Sequence, residues 1–335
     1  MTSNLRLAPV IADGDAIISR GREVVRIEAE ALAMLEGALD DGFVAACEAI
    51  FAARRRLAIS GMGKSGHIGR KIAATFAATG TPAVYIHPAE AAHGDLGMLM
   101  EGDVLLVLSS SGNTAELRTI LSYARSLGIT IIGVTLQRNS LLMERADIAI
   151  CLPDLREACS ANIAPTTSTT LQLALGDAMA MAVMDMRGIS RSHLRALHPG
   201  GMIGLRLAPV KEIMHCPDRM PLVGLDAGMG EVISVMTSGR FGMAGVINAD
   251  GELAGMITDG DLRRHFDALY AVNAAEVMTV SPKTLPSDML GVDALSFLNH
   301  NKITAAFVVD SCDTARPFRP VGVIHIHDLL RLGLD

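Results

Sequence analysis

Two hydrophobic periods run along this chain. Between residues 12 and 53, apolar side chains such as Val24, Ile27, Ala31 and Leu35 recur at helical spacing in an Ala-, Glu- and Leu-rich stretch, which predicts one or two helices. From residue 57 short apolar runs alternate with amphipathic stretches, predicting strands over 57–60, 82–87, 103–109, 130–135 and 147–152 and helices over 64–79 and 114–127. The runs V-L-L-V-L and T-I-I-G-V are apolar almost without interruption, as strands are when both faces of a parallel sheet are covered. The pattern therefore predicts an α/β fold, a parallel-sheet αβα sandwich. Residues 166–187 are apolar on nearly every side and stop at Gly188, which predicts a buried helix.

Beyond the R-A-L-H-P-G-G turn the pattern changes and a repeat begins. Glu212-Ile213-Met214 is matched by Glu276-Val277-Met278, and Gly255, Ile257, Asp261 and Leu262 by Gly322, Ile324, Asp328 and Leu329. Two copies of one small α/β unit thus follow the sheet. The expected division is 1–208, 209–270 and 271–335.

Ligands of parallel sheets bind beyond the carboxyl ends of the strands. Two turns fall there: L-A-I-S-G-M-G-K-S-G-H-I-G over 57–69, and Ser109 to Thr114 with its three consecutive serines. Gly61, Gly63 and Gly66 let the backbone approach a ligand, and the free N–H groups of a helix start suit an anion. Lys64 lies where the helix dipole disfavours a cation, a penalty that an anionic ligand reverses. A P-loop needs glycine six residues before the lysine, and Ala58 stands there. Gly61, Gly63 and Gly66 satisfy G-x-G-x-x-G, but the following strand ends in His-Pro where a dinucleotide site needs an acidic residue.

The net charge of −7, without a basic cluster, argues against nucleic acid as partner. No apolar run approaches the ~20 residues of a membrane span, and the first ten residues lack a basic segment leading into a signal core, so the expected location is cytoplasmic and no membrane partner is implied. Cys47, Cys151, Cys159, Cys216 and Cys312 show no C-x-x-C pairing and read as reduced thiols.

S-G-M-G-K-S-G-H-I-G, H-P-A-E-A-A-H-G-D-L-G-M, S-S-S-G-N-T-A-E, E-A-C-S-A-N-I-A-P-T-T-S-T-T and H-P-G-G together resemble the sugar isomerase (SIS) domain of D-arabinose-5-phosphate isomerases. The repeats, with I-T-D-G-D-L-R-R and I-H-I-H-D-L-L-R, resemble a tandem pair of CBS modules. The resemblance covers almost the whole chain. It implies reversible conversion of D-ribulose 5-phosphate to D-arabinose 5-phosphate through an enediol, supplying Kdo for lipopolysaccharide or capsule, in a homotetramer that needs no metal and no redox cofactor. A binding-only alternative is a sugar-phosphate sensor whose CBS pair transmits the signal. Regulators on this domain normally carry a helix-turn-helix, whereas the N-terminal helices here are acidic without a basic recognition face.

Carried onto this chain, the resemblance makes Ser60, Gly61, Gly63, Ser65, His93, Ser109, Ser110, Ser111 and Thr114 substrate-binding, and Lys64, Glu116, Glu157 and His198 catalytic. Some relatives have Glu where Asn113 stands. With Asn113 as N-cap, Glu116 takes the N3 place of a capping box, whereas Glu157 lies in a loop outside any helix register. Proton transfer is therefore expected at Glu157 in preference to Glu116. Lys64 would stabilise the enediolate oxyanion, and His198, ahead of His93, would open the ring or shuttle protons. In the repeats, Thr258, Asp261 and Asp328 match positions that hold a nucleotide ribose, with His325 replacing threonine in the second copy; a nucleotide or CMP-Kdo is the expected ligand unless the pair only holds the oligomer together. His325 and His327 are expected on one strand face, in a structural role. Every proposed catalytic residue precedes 209.

Overall fold

The computed structural model describes residues 13–200, 204, 206–215, 217–310, 313 and 315–334, in two compact units dividing at Ser190/Arg191. Cys216 and Cys312 lie outside the described residues, as do Gly201 of the H-P-G-G turn and the first ten residues. In the first unit, helices α1 (Gly14–Ala38) and α2 (Asp41–Ala52) precede β1 (Leu57–Gly61), α3 (Gly63–Ala78), β2 (Ala83–Tyr85), α4 (Pro88–Ala91), β3 (Val104–Leu108), α5 (Leu117–Ser126), β4 (Thr130–Thr135), α6 (Leu141–Arg145), β5 (Ile148–Cys151) and α7 (Thr167–Met186). The five strands are all parallel, in the order β2-β1-β3-β4-β5.

The strand pleat sorts the core into two layers. Leu57, Ile59, Leu106, Leu108, Ile132 and Val134 point into a cluster filled by α1, α2, α3 and α7. Ala58, Leu105, Val107 and Ile131 point the other way, against Leu117, Ile120, Leu121 and Ala124 of α5. Helices α3 and α7 approach so closely that a Cβ on Gly176 would stand 2.3 Å from Ile72 Cδ1. α7 is not buried all round: a stripe through Leu171, Leu175, Met179 and Val183 is covered, while Met181 and Met186 on its outer side are exposed. Its even hydrophobicity conceals which side meets the sheet.

The second unit contains α8 (Arg191–Leu197) and the two copies. In the first copy β6 (Leu222–Gly224) runs parallel to β7 (Met243–Ile247), which pairs antiparallel with β8 (Leu253–Thr258). After β9 (Thr279–Val280), the second copy repeats the plan with β10 (Thr284–Pro286), β11 (Ala305–Val309) and β12 (Pro320–His325), down to a register irregularity at Val308/Val309 that echoes Val246/Ile247. Each copy's leading segment covers the other copy. Val210 N donates to Met289 O at 2.7 Å and His215 N to Val323 O at 2.8 Å, while Ala274 N donates to Ala227 O at 2.9 Å. The repeated glycines receive the exchanged methionines: a Cβ on Gly322 would lie 2.3 Å from Met214 Sδ, and one on Gly255 2.4 Å from Met278 Sδ.

The contacts divide before residue 208, and the second unit begins at Arg191. Arg195 binds Glu212, Arg191 Nη1 lies 3.3 Å from Asp293 Oδ2, and Gly291 N donates to Ala208 O at 2.8 Å. Removing 209–335 would therefore strip the partners of the segment that carries His198, even though that residue precedes the cut.

Candidate active site

In a sheet of order 2-1-3-4-5 the chain leaves β1 toward one edge and returns across it to β3, so the loops after these two strands part and open a crevice. After β1, Gly63 takes φ +58° and begins α3, whose first amides, on Gly63, Lys64 and Ser65, have no intrahelical acceptor. Gly61 must be glycine, since a Cβ there would meet Leu108 O of β3 at 2.9 Å. Its carbonyl accepts the Tyr85 hydroxyl at 2.6 Å. Lys64 is exposed and has no ion pair among the described residues, while Ser65 is buried. Ser60 is fully buried and its hydroxyl donates to Ile86 O at 2.9 Å, which ties β1 to the chain beyond β2.

After β3 the loop is held by its own hydroxyls. Ser109 Oγ lies 2.9 Å from Thr114 Oγ1 and accepts from Gly112 N at 3.1 Å, and Ser111 Oγ accepts from Asn113 N at 3.3 Å. Gly112, at φ +65°, turns the chain, so α5 starts at Leu117 and not at residue 114. That shift removes the expected capping box. Glu116 becomes the N-cap residue with no side-chain cap hydrogen bond, and Asn113 Oδ1 accepts from Leu141 N, at 3.0 Å, at the start of α6. The amides of Ser111, Thr114, Ala115 and Glu116 have no partner among the described residues. They form a cluster of donors suited to an anion.

The carboxylate with local structural work is Glu157. Its Oε2 accepts from Thr166 N at 2.7 Å, Thr166 Oγ1 at 3.1 Å and Ser168 N at 3.2 Å, which caps the start of α7. Burial raises the pKa of this carboxyl, but the Ser168 and Thr166 donors outweigh it and hold the group below the ordinary glutamate value. Glu116 is exposed, with no side-chain hydrogen bond among the described residues. α7 also brings Gln172 to the β3 loop, its Nε2 donating to Ser110 Oγ at 3.3 Å. Glu157 further lines a 480 Å³ cavity with Arg20 and Arg156, two cations that no sequence motif marked. Beside it, the backbone amides of Ile163, Ala164 and Ala161 hold the Cys159 thiol below its ordinary pKa.

His93 is exposed in the turn after α4. His198 follows α8 in the second unit, half-buried, with Nδ1 2.8 Å from Leu194 O. In the repeats, Thr258 and Asp261 are occupied by each other: Thr258 N and Oγ1 donate to Asp261 Oδ2 at 2.8 and 2.6 Å, and Arg264 binds the other carboxylate oxygen. Asp328 is differently placed. Its Oδ2 accepts from His325 N and lies 3.0 Å from His215 Nε2, on the wall of a 780 Å³ cleft that also carries Arg219, Arg240, His327 and Arg331. His325 ends β12 and caps the next helix through Nδ1, accepting from His327 N at 3.1 Å, so the two histidines do not share a strand face; their rings stack with centroids 4.8 Å apart. Burial, then the neighbouring His327, lowers the His325 pKa.

Residues 50–182 match the SIS domain family, and residues 210–268 and 274–335 each match the CBS domain. Fold and crevice thus define a sugar isomerase domain followed by a CBS pair. The chain is 43% identical, over 95% of its length and 97% of the other, to the arabinose 5-phosphate isomerase KdsD of Pseudomonas aeruginosa, and 40% identical over 94% and 95% to that of Yersinia pestis. An Escherichia coli CFT073 protein solved in complex with arabinose 5-phosphate matches with a TM-score of 0.55 at 32% identity, covering all of that chain and 56% of this one. The chain belongs to the arabinose 5-phosphate isomerase family.

Proposed function

We propose that this protein interconverts D-ribulose 5-phosphate and D-arabinose 5-phosphate through an enediol and feeds Kdo synthesis. The observation that carries the reading is the pair of donor-rich loops after β1 and β3, the second of which runs into Glu116, while Glu157 caps α7, the helix that reaches that second loop through Gln172. The unpartnered amides of Ser111, Thr114, Ala115 and Glu116 and the first amides of α3 take the phosphate, with Ser110 and Lys64 at its flank. Glu157 moves the proton between carbon 1 and carbon 2: three donors clamp Oε2, and Oε1 is left to act as the base. Lys64 stabilises the enediolate oxygen, and Glu116, His93 and His198 serve ring opening and proton return. The test is proton NMR with D-ribulose 5-phosphate in deuterated water. Arabinose 5-phosphate carrying deuterium at carbon 2 is expected, and a folded sample that yields no product removes the enzyme reading.

The CBS pair is proposed to take a phosphorylated ligand, a nucleotide or CMP-Kdo, asymmetrically. The cation-lined cleft beside Asp328 supports this, whereas Thr258 and Asp261 are committed to their capping box. Calorimetry with adenine nucleotides and CMP-Kdo is expected to show a single site that Arg240→Ala weakens by about tenfold or more, as loss of a charged hydrogen bond does. Absence of heat for all of them assigns the pair to assembly instead. A cytoplasmic homotetramer completes the reading, supported by exposed Ile17, Ile18 and Val25 on α1. Sedimentation at micromolar concentration tests the tetramer.

A further inference from the structure

Gln172 is fully buried on α7, one turn after the buried Ser168 and between Leu171 and Leu175, in a stripe that continues through Met179 and Val183. Its Nε2 donates to Ser110 Oγ at 3.3 Å, while its Oε1 is buried with no partner among the described residues. A buried amide satisfied at one end only costs more than its single bond returns, and methionine or leucine of similar volume would serve the core better. The residue is therefore poorly explained by packing.

What it acts on is informative. Ser110 is already fixed through its backbone: its carbonyl accepts from Thr135 Oγ1 at 3.1 Å and from Leu136 N at 3.2 Å. The rotation of its side chain and the direction of its hydroxyl hydrogen are left open. With the Gln172 N–H filling the acceptor side of Ser110 Oγ, the hydroxyl proton is turned away from α7. Ser110 itself is half-exposed in the donor-rich loop after β3, so the proton is available to an anion bound there. We infer that Gln172 is a positioning residue for substrate binding, holding the Ser110 hydroxyl as a donor to the phosphate of the sugar. The inference rests on the isomerase reading of the crevice, and it explains why a half-satisfied amide is kept at a fully buried position.

The test compares Gln172→Met, Ser110→Ala and the double variant with the unsubstituted protein, by turnover, by calorimetric binding of arabinose 5-phosphate and by thermal melting. Gln172→Met is expected to melt at the same or a higher temperature and to raise KM and Kd by about tenfold, the worth of one hydrogen bond, with kcat within about twofold. In the Ser110→Ala background the same substitution should add nothing. Unchanged KM and Kd in Gln172→Met, or a full further loss on top of Ser110→Ala, overturns the positioning role. Gln172→Asn, which keeps an amide too short to reach Ser110, gives the same comparison should the methionine variant not fold. An unsubstituted protein that neither binds nor turns over arabinose 5-phosphate removes the isomerase reading and this inference with it, whereas normal turnover with an unaffected Gln172→Met removes the inference alone.

Discussion

Replacing Glu157 by glutamine should lower kcat by ~10²-fold or more, with kcat/KM falling in proportion, because the amide keeps the shape of the side chain but cannot take a proton. Stability should fall only slightly. The amide oxygen still accepts from Thr166 N and Ser168 N, as a neutral cap in place of a charged one, so the loss stays at or below the ~1 kcal/mol typical of a removed cap. Glu157→Ala adds the lost cap to the lost base and should melt lower than the glutamine variant. pH supplies a separate check. The folded pKa of Glu157 is depressed, so its stabilising contribution is present above the ordinary glutamate range and disappears as pH falls through the lowered folded value. Glu157→Gln should flatten that acid limb of the stability profile. Glu116 has no such local role, so Glu116→Gln should melt normally and retain measurable activity. Near-normal carbon 2 exchange in Glu157→Gln together with none in Glu116→Gln would reverse the two roles.

Gly112→Ala is expected to be the most damaging substitution in the binding loop. Its φ of +65° disfavours any side chain, and the added methyl would stand 2.2 Å from Ser140 Oγ and 2.5 Å from Ser140 Cβ. Relief requires moving the turn, and with it the amides from Ser111 to Glu116. A destabilisation of ~2–4 kcal/mol is expected from left-handed strain plus overpacking, and KM should rise by ~10²-fold because several phosphate donors shift together. Ser140→Gly removes both clashing atoms, so the double variant should recover part of the loss in melting temperature and KM. Recovery absent from the double variant, or a Gly112→Ala protein with unchanged KM, would show that the loop does not hold the phosphate.

The parallel sheet was legible because its signal is local: V-L-L-V-L reads as a doubly covered strand from five consecutive residues, and the structure places Val104–Leu108 there with every position buried. The start of α5 was not, because Asn113 spends its side chain on Leu141, 28 positions away. The same distance problem hid the work of Glu157, whose partners lie nine and eleven residues further on, and of Gln172, which meets Ser110 across 62 residues. Spacing rules see capping at i+3; they do not see a loop folding back onto a helix start. The repeat glycines were visible as a pattern, but their cause, a methionine inserted by the opposite copy, appears only in three dimensions.

That exchange of leading segments also sets a timetable for the nascent chain. Met214 cannot find its seat at Gly322 until more than a hundred further residues have been translated, which takes on the order of 5–20 s at ~5–20 residues per second. During that interval the apolar side chains of Val210, Ile213 and Met214 are unhoused, while the first copy still waits for residues 274–278 to cover it. The two copies therefore close as one cooperative body late in synthesis. A chain interrupted between β11 and β12 therefore carries two half-covered sheets instead of one finished module and one missing module.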